Sequence, residues 1–193
     1  GFAQVGVSAA GAADPVSLHI ANKAVGNSRY AAAIEMTLQG GSYEFTEDAT
    51  IAITGGDFDC SHEMWRALEV NAGDVVRIGG CRSGARVYLA VRGGIDTPRV
   101  LGSASTHSLS GFGHTLRKGD KLPVGTMADL PVAAEPAQRP EFRKTLRVTP
   151  GAQSRQFHGD AAFDFLSATY KVRDDSNRMG IRLTGPRIAP PFH

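Results

Sequence analysis

The chain has 193 residues, with 21 lysines and arginines against 19 aspartates and glutamates, and a net charge of +2. This balance gives no electrostatic reason to expect nucleic acid, and the scattered basic residues form no polybasic patch for a membrane surface. No apolar stretch approaches the roughly 18 residues that span a bilayer. Two cysteines, Cys60 and Cys81, are too few for a disulfide framework. The composition therefore favours a cytoplasmic protein with one large domain or two small ones.

The first element predicted along the chain is a helix over 14–25. Asp14 is a good N-cap, and Pro15 suits the first helical position because its missing N–H would have no partner there. Apolar residues spaced four apart then fall on one face. Gly26 follows in the position where glycine commonly ends a helix.

Short apolar runs with a period of two follow, beginning near Ile34, Ile51 and Val87. Such alternation predicts half-buried strands. The 23 glycines are spread among these runs, as expected for short strands joined by tight turns. A second helix is predicted from about 160 to 167. The fold class is therefore mostly β with a few short helices, of the α+β type.

Residues 126–141 are rich in alanine and proline and show no clear period, which indicates a linker. The sequence thus predicts two units. A first β unit covers 1–125, a linker covers 126–142, and a second β unit begins at 143 and runs to 193.

Generic catalytic motifs are missing from the sequence. It contains no G-x-x-x-x-G-K-[ST] phosphate loop, so ATP would have to be held in some other way. His62-Glu63 lacks the second histidine of the H-E-x-x-H zinc motif, and Cys60, His62 and Cys81 lack a fourth ligand. We therefore predict no metal site, and the catalytic residues stay unassigned.

Six longer stretches occur in one order along nearly the whole chain. They are Gly11–Asp14 with Ala21–Asn27, then Ile34–Gly41, Ile53–Gly56, Tyr88–Ile95, Val100–Thr106 and Ser176–Leu183. Together they resemble the family of the C-type subunit of 5-oxoprolinase, also described as allophanate hydrolase subunit 2 or the biotin-dependent carboxyltransferase domain. Each stretch is only moderately specific, but six in this order make a chance resemblance improbable. Family members usually extend beyond both ends of this sequence, so we expect an incomplete copy.

The resemblance implies a cyclophilin-like β-barrel architecture and a complex with a B-type subunit, completed by an A-type subunit. The implied function is the ATP-dependent opening of 5-oxoproline to glutamate. One alternative is a carboxyltransferase domain of a urea carboxylase or allophanate hydrolase system. It would use carboxybiotin carried by another chain or domain, since no biotin-accepting Met-Lys-Met segment is present. A second alternative is a non-catalytic regulatory subunit that antagonises a kinase inhibitor.

Candidate substrate-binding residues follow from the placement of polar groups beside glycines. Arg92 precedes a Gly-Gly pair at a strand end, where its guanidinium would suit a planar carboxylate or would simply flank a tight turn. Ser105 and Thr106 lie in a hydroxyl-rich loop that would hold a carboxylate or phosphate, or would satisfy its own backbone. We expect these three residues to lie together at a cleft.

Three further polar residues also have both a functional and a structural interpretation. Arg178 is predicted as a weaker member of the site, either paired with Asp175 or directed toward the ligand. Asn27 is a ligand candidate, although asparagine beside a helix end is ordinary. Glu35 would be a general base if partly buried, but we expect it to point to solvent.

Overall fold

The computed structural model describes residues 2–8, 10–107, 110–126, 130–141, 145–157, 159–176 and 180–188. The chain divides into two compact units, Gly1–Pro140 and Glu141–His193. This division does not test the finer bounds predicted from the sequence, and the linker over 126–142 stays a prediction.

The first helix, α1, spans Pro15–Ala24, as predicted. Asp14 caps its beginning, with Oδ1 accepting the Ser17 N–H at 3.1 Å. Gly26 follows the helix in the left-handed conformation, with φ of +73°. The N–H of the next residue, Asn27, donates to the Asn22 carbonyl at 2.8 Å. This is a Schellman ending, which places the Asn27 side chain where the helix meets the sheet.

Five antiparallel strands form the sheet of the first unit. They are β1 (Ile34–Thr37), β2 (Ser42–Glu44), β3 (Ala49–Cys60), β4 (Ala67–Val70) and β5 (Val75–Val91). The order is β1-β5-β3-β4, and β2 also pairs with β5. The described part of the chain is thus mostly β with two α-helices. The described strands form an open arrangement with β1 and β4 at its ends, so a closed cyclophilin-like barrel is not confirmed.

The two long central strands are buried on both faces only where they pair under α1, over residues 50–56 of β3 and 87–91 of β5. Ile51 and Ile53 of β3 join the main apolar cluster on one face of the sheet. On the other face, Ala52 and Ala90 pack against α1. The alternation therefore places large side chains on the face of the main cluster and small ones on the face toward α1. Small residues on that face let the helix approach the sheet closely. The expectation of half-buried strands is wrong for these parts of β3 and β5, although the strands themselves are confirmed.

The second unit contains short elements only. A 3-10 turn covers Ser154–Gln156, α2 spans Ala161–Ser167 as predicted, and β6 (Lys171–Val172) pairs with β7 (Leu183–Thr184). Among the described residues of this unit, Ala161 alone is a buried apolar residue.

Candidate functional site

Asn27 lies buried where the end of α1 meets the end of β5, with 4% of its surface exposed. Its Nδ2 donates to Asn22 Oδ1 at 3.2 Å and to the Val91 carbonyl at 2.8 Å. Its Oδ1 accepts the Gly93 N–H at 2.8 Å. Asn27 therefore joins the helix to the strand and to the glycine turn that follows it. Contact between Asn27 and a ligand stays a prediction.

Arg92 also contacts the C-terminal end of α1. Its Nη1 donates to the Val25 carbonyl at 3.2 Å and its Nη2 to the Leu130 carbonyl at 3.1 Å. The Ala133 N–H donates to the Ala24 carbonyl at 2.9 Å, so residues 130–133 are fastened along the helix end. The guanidinium thus binds backbone carbonyls from two segments.

A concave pocket of about 510 Å³ adjoins these contacts, and we call it the basic pocket. Its lining residues are His19, Lys23, Gly26, Asn27, Arg29 and Leu130 to Ala133. Arg29 Nη2 lies 3.3 Å from His19 Nδ1, and its guanidinium stacks 5.0 Å from the Tyr30 ring centre. Because guanidinium only donates, His19 Nδ1 accepts. Lys23 and Arg29 give this pocket two cationic side chains, whereas Leu130 to Ala133 give it an apolar wall. The sequence patterns did not indicate it, although His19 and Lys23 are four apart on one helix.

Ser105 and Thr106 lie in a loop held by its own hydrogen bonds. Thr106 Oγ1 donates to the His114 carbonyl at 2.8 Å, and the Ser105 N–H donates to Ser103 Oγ at 3.1 Å. Gly113 packs so closely on this loop that a Cβ there would meet Thr106 Cα at 2.8 Å. The backbone position of Thr106 therefore depends on a glycine.

A serine from the N-terminal segment joins this loop through a histidine. Ser8 Oγ lies 2.8 Å from His107 Nε2, although 99 residues separate them in the sequence. His107 is 9% exposed. Ser8, Ser105, Thr106 and His107 together are called the hydroxyl cluster below. Sequence reasoning assigned no role to Ser8 or His107, because no local pattern links residues so far apart.

The predicted site residues thus fall into pairs. Asn27 and Arg92 meet at the C-terminal end of α1, whereas Ser105 lies beside Gly11, which precedes the N-terminal end. Ten helical residues extend about 15 Å, and convergence of the pairs on one ligand stays a prediction. Arg178 lies outside the described residues. Asp175, its predicted partner, bonds Arg173 Nε at 2.9 Å.

Glu35 is fixed by donors rather than pointing to solvent. Its Oε2 accepts the Tyr88 hydroxyl at 2.9 Å and the Ala13 N–H at 2.8 Å. The Tyr88 oxygen in turn accepts the Asp14 N–H at 2.7 Å. Burial raises the pKa of Tyr88. The Asp14 N–H lowers it by less than burial raises it, and the bond to Glu35 and the charge of that carboxylate raise it further. These bonds hold the segment that leads from the hydroxyl cluster into α1.

Membrane spans, metal clusters and disulfides are all absent from the part of the chain that the structure describes. No helix there is long and apolar enough to cross a bilayer. No group of three histidines, cysteines, aspartates or glutamates there is placed to hold a metal ion. Cys60 and Cys81 are both free thiols.

Comparison with known protein families gives a match over residues 5–192 to the carboxyltransferase domain, subdomain A and B. The chain belongs to this family. The resemblance named from the six ordered stretches is thereby confirmed, and carboxyltransferase-domain relatives include proteins of two kinds.

Urea amidolyase of Lachancea kluyveri is 37% identical over 212 residues, which cover 97% of this chain and 12% of that protein. The C-type subunit of 5-oxoprolinase from Escherichia coli K12 is 36% identical over 195 residues, covering 96% of this chain and 63% of that protein. Urea amidolyase of K. lactis has a crystal structure that matches with a TM-score of 0.80 and 31% identity, over 96% of this chain and 13% of that one. This chain therefore spans less than two thirds of the length of each of these three proteins.

Proposed function

We propose that this chain is part of an ATP-dependent 5-oxoprolinase, which opens 5-oxoproline to glutamate. The observation that carries the proposal is the 36% identity with a C-type 5-oxoprolinase subunit along 96% of the chain. A lactam is a poor electrophile, so transfer of a phosphoryl group from ATP to its oxygen would let water attack the ring carbon. Release of phosphate and opening of the C–N bond would then yield glutamate. Such a reaction needs positioning and charge stabilisation more than a protein nucleophile.

In this proposal the hydroxyl cluster would bind the substrate and the basic pocket would bind ATP. The Ser105 hydroxyl would donate to the carboxylate or carbonyl oxygen of the substrate. Thr106 Oγ1, whose proton goes to the His114 carbonyl, would accept the amide N–H of the substrate. The basic pocket, with Lys23 and Arg29 at its rim, would bind an anion such as the ATP phosphates in place of a phosphate loop. Arg92 would shape the wall of that pocket. Asn27 and Arg178 remain candidate ligand contacts.

Carboxyl transfer is the second candidate function. It is favoured by the 37% identity with urea amidolyase and by the TM-score of 0.80 with the K. lactis structure. Carboxybiotin would then arrive on another chain or domain and donate its carboxyl group to urea. A regulatory role without catalysis, against a kinase inhibitor, is the outcome if neither reaction is found.

The deciding experiment assembles the protein with its B-type and A-type partner subunits, which we expect to co-purify with it. Glutamate release that requires both ATP and 5-oxoproline, and that stops when this chain is omitted, would support the proposal. Carboxylation of urea by carboxybiotin, without 5-oxoproline turnover, would replace it with the second candidate. A cytoplasmic location and a cyclophilin-like barrel in the whole protein belong to the same proposal.

A further inference from the structure

One backbone N–H contacts the ring of His107 and indicates which ring nitrogen carries the proton. The Ser110 N–H donates to His107 Nδ1 at 3.2 Å and, as a bifurcated bond, to the His107 carbonyl at 3.1 Å. A backbone amide can only donate, so Nδ1 carries a lone pair and the ring proton sits on Nε2. The Nε2–H therefore donates to Ser8 Oγ across the 2.8 Å contact.

Because His107 donates in this contact, Ser8 keeps its own hydroxyl proton. A serine hydroxyl has one proton and two lone pairs, and here a lone pair accepts from His107. Among the described residues, no acceptor takes the hydroxyl proton of Ser8. His107 is thus no general base toward Ser8. It orients a hydroxyl that remains able to donate.

Ser105 presents a second hydroxyl close to the same N-terminal segment. A Cβ built on Gly11 would lie 3.9 Å from Ser105 Oγ and would meet no other atom of the described residues within 4 Å. Gly11 has φ of +112°, a conformation that disfavours any side chain. Gly11 therefore has no side chain to cover Ser105 Oγ, which makes no hydrogen bond within the described part of the chain.

We propose that the hydroxyls of Ser8 and Ser105 donate to a carboxylate or amide oxygen of the substrate, and that His107 is a positioning residue for Ser8. The ligand class is a small planar acid or cyclic amide, such as 5-oxoproline. This inference rests on the proposed function and deepens it by adding two residues to the substrate site. A buried histidine locked by a backbone amide holds a serine more rigidly than solvent-exposed packing would, which suits recognition of a small ligand.

The test measures the KM for 5-oxoproline and kcat in the assembled complex. Ser8→Ala and Ser105→Ala each remove one donor, and His107→Leu removes the positioning N–H. His107→Gln keeps an amide N–H near the place of Nε2. Ser61→Ala is the matched control, because Ser61 Oγ also lies 2.8 Å from a histidine nitrogen, His62 Nδ1, but on an exposed segment.

We expect Ser8→Ala, Ser105→Ala and His107→Leu each to raise KM about tenfold or more, the effect of losing a hydrogen bond to a charged group. His107→Gln should recover most of the loss, and Ser61→Ala should match the unchanged protein. A purely structural tie between Ser8 and His107 predicts instead lower thermal stability with KM unaltered.

The outcomes separate this inference from the proposed function. If the unchanged complex opens 5-oxoproline and Ser8→Ala retains its KM, the inference is wrong and the function stands. An equal loss in His107→Gln and His107→Leu would remove the positioning role of His107. If the unchanged complex neither binds nor opens 5-oxoproline, the proposed function fails, and the ligand assigned to Ser8 and Ser105 fails with it.

Discussion

The two ends of α1 use polar side chains in opposite ways. At the C-terminal end, the Asn27 side chain is buried and bonds to Asn22, Val91 and Gly93. Beside the segment that enters the N-terminal end, Ser8 accepts from His107 and keeps its own proton. Ser105 Oγ there makes no hydrogen bond to any described residue and is not covered by a side chain of Gly11. The Asn27 side chain is therefore saturated by the protein, whereas the hydroxyls of Ser8 and Ser105 can still donate to a ligand.

This difference separates stability from recognition. A buried polar group that loses its partners costs far more than one that exchanges a protein partner for water. Replacement of Asn27 should therefore act on folding. Changes in the hydroxyl cluster should act on substrate affinity and leave the free energy of unfolding almost unaltered.

The largest effect is expected for Asn27→Ala. Its removal leaves the Gly93 N–H and the Val91 carbonyl without their buried partner, and we expect a loss of about 3 kcal/mol in the free energy of unfolding. Urea denaturation measures it, with Ser105→Ala as the control that should change stability by less than about 0.5 kcal/mol. Equal losses in the two variants would abolish the contrast between the regions.

Gly26→Ala should cost about 2–3 kcal/mol of stability. Its φ of +73° disfavours a side chain, and a Cβ would also collide with the Leu130 carbonyl oxygen. Gly73→Ala is the matched control, because Gly73 has φ of +91° with nothing within 4 Å of the added carbon. It should lose only about 1 kcal/mol, the conformational part. No difference between them in urea denaturation would mean that residues 130–133 move aside freely.

Arg92→Ala should lower stability by about 1–2 kcal/mol, since two carbonyls lose a charged donor. Activity should fall about tenfold or more, equivalent to about 1.4 kcal/mol, because the wall of the basic pocket is no longer fastened. Arg92→Lys keeps the charge but lacks the planar fork and should not restore activity. Full activity in Arg92→Ala would remove Arg92 from the site altogether.

Thr106→Val should have a small effect on stability, below about 1 kcal/mol, from the lost bond to the His114 carbonyl. Thr106→Ser keeps the donor and serves as the control in the same thermal unfolding measurement. If substrate binds this hydroxyl, KM rises in the valine variant and remains near normal in the serine variant. A rise in both would implicate the methyl group instead.

The smallest effect is a pH dependence of stability that comes from Tyr88, whose hydroxyl donates to Glu35. Because burial raises the pKa of Tyr88 above its ordinary value of about 10, the folded state keeps a proton that the unfolded state releases. This contribution is fully present below about pH 10 and is lost as the pH rises further. The thermal midpoint of Tyr88→Phe should decline less steeply above that pH, whereas exposed Tyr30→Phe should follow the unchanged protein.

Local features of the sequence were sufficient for both α-helices of the described residues and for parts of β1, β3 and β5, but not for β2, β4, β6 or β7. Asp14, Pro15 and Gly26 act within one or two turns of α1, so the bounds of that helix are readable from neighbouring residues. The ordered stretches were sufficient for the family. The second buried face of β3 was not predictable, because it depends on where α1 packs.

Side-chain partners, by contrast, were decided by the tertiary structure. The carbonyls that Arg92 binds lie 67 and 38 residues away, and His107 lies 99 residues from Ser8. A residue type shows what a side chain can donate or accept, but the folded chain determines which groups come within hydrogen-bonding distance. For this reason the sequence identified Arg92 and Ser105 as polar groups beside glycine turns, and only the fold distinguished a saturated arginine from an open serine.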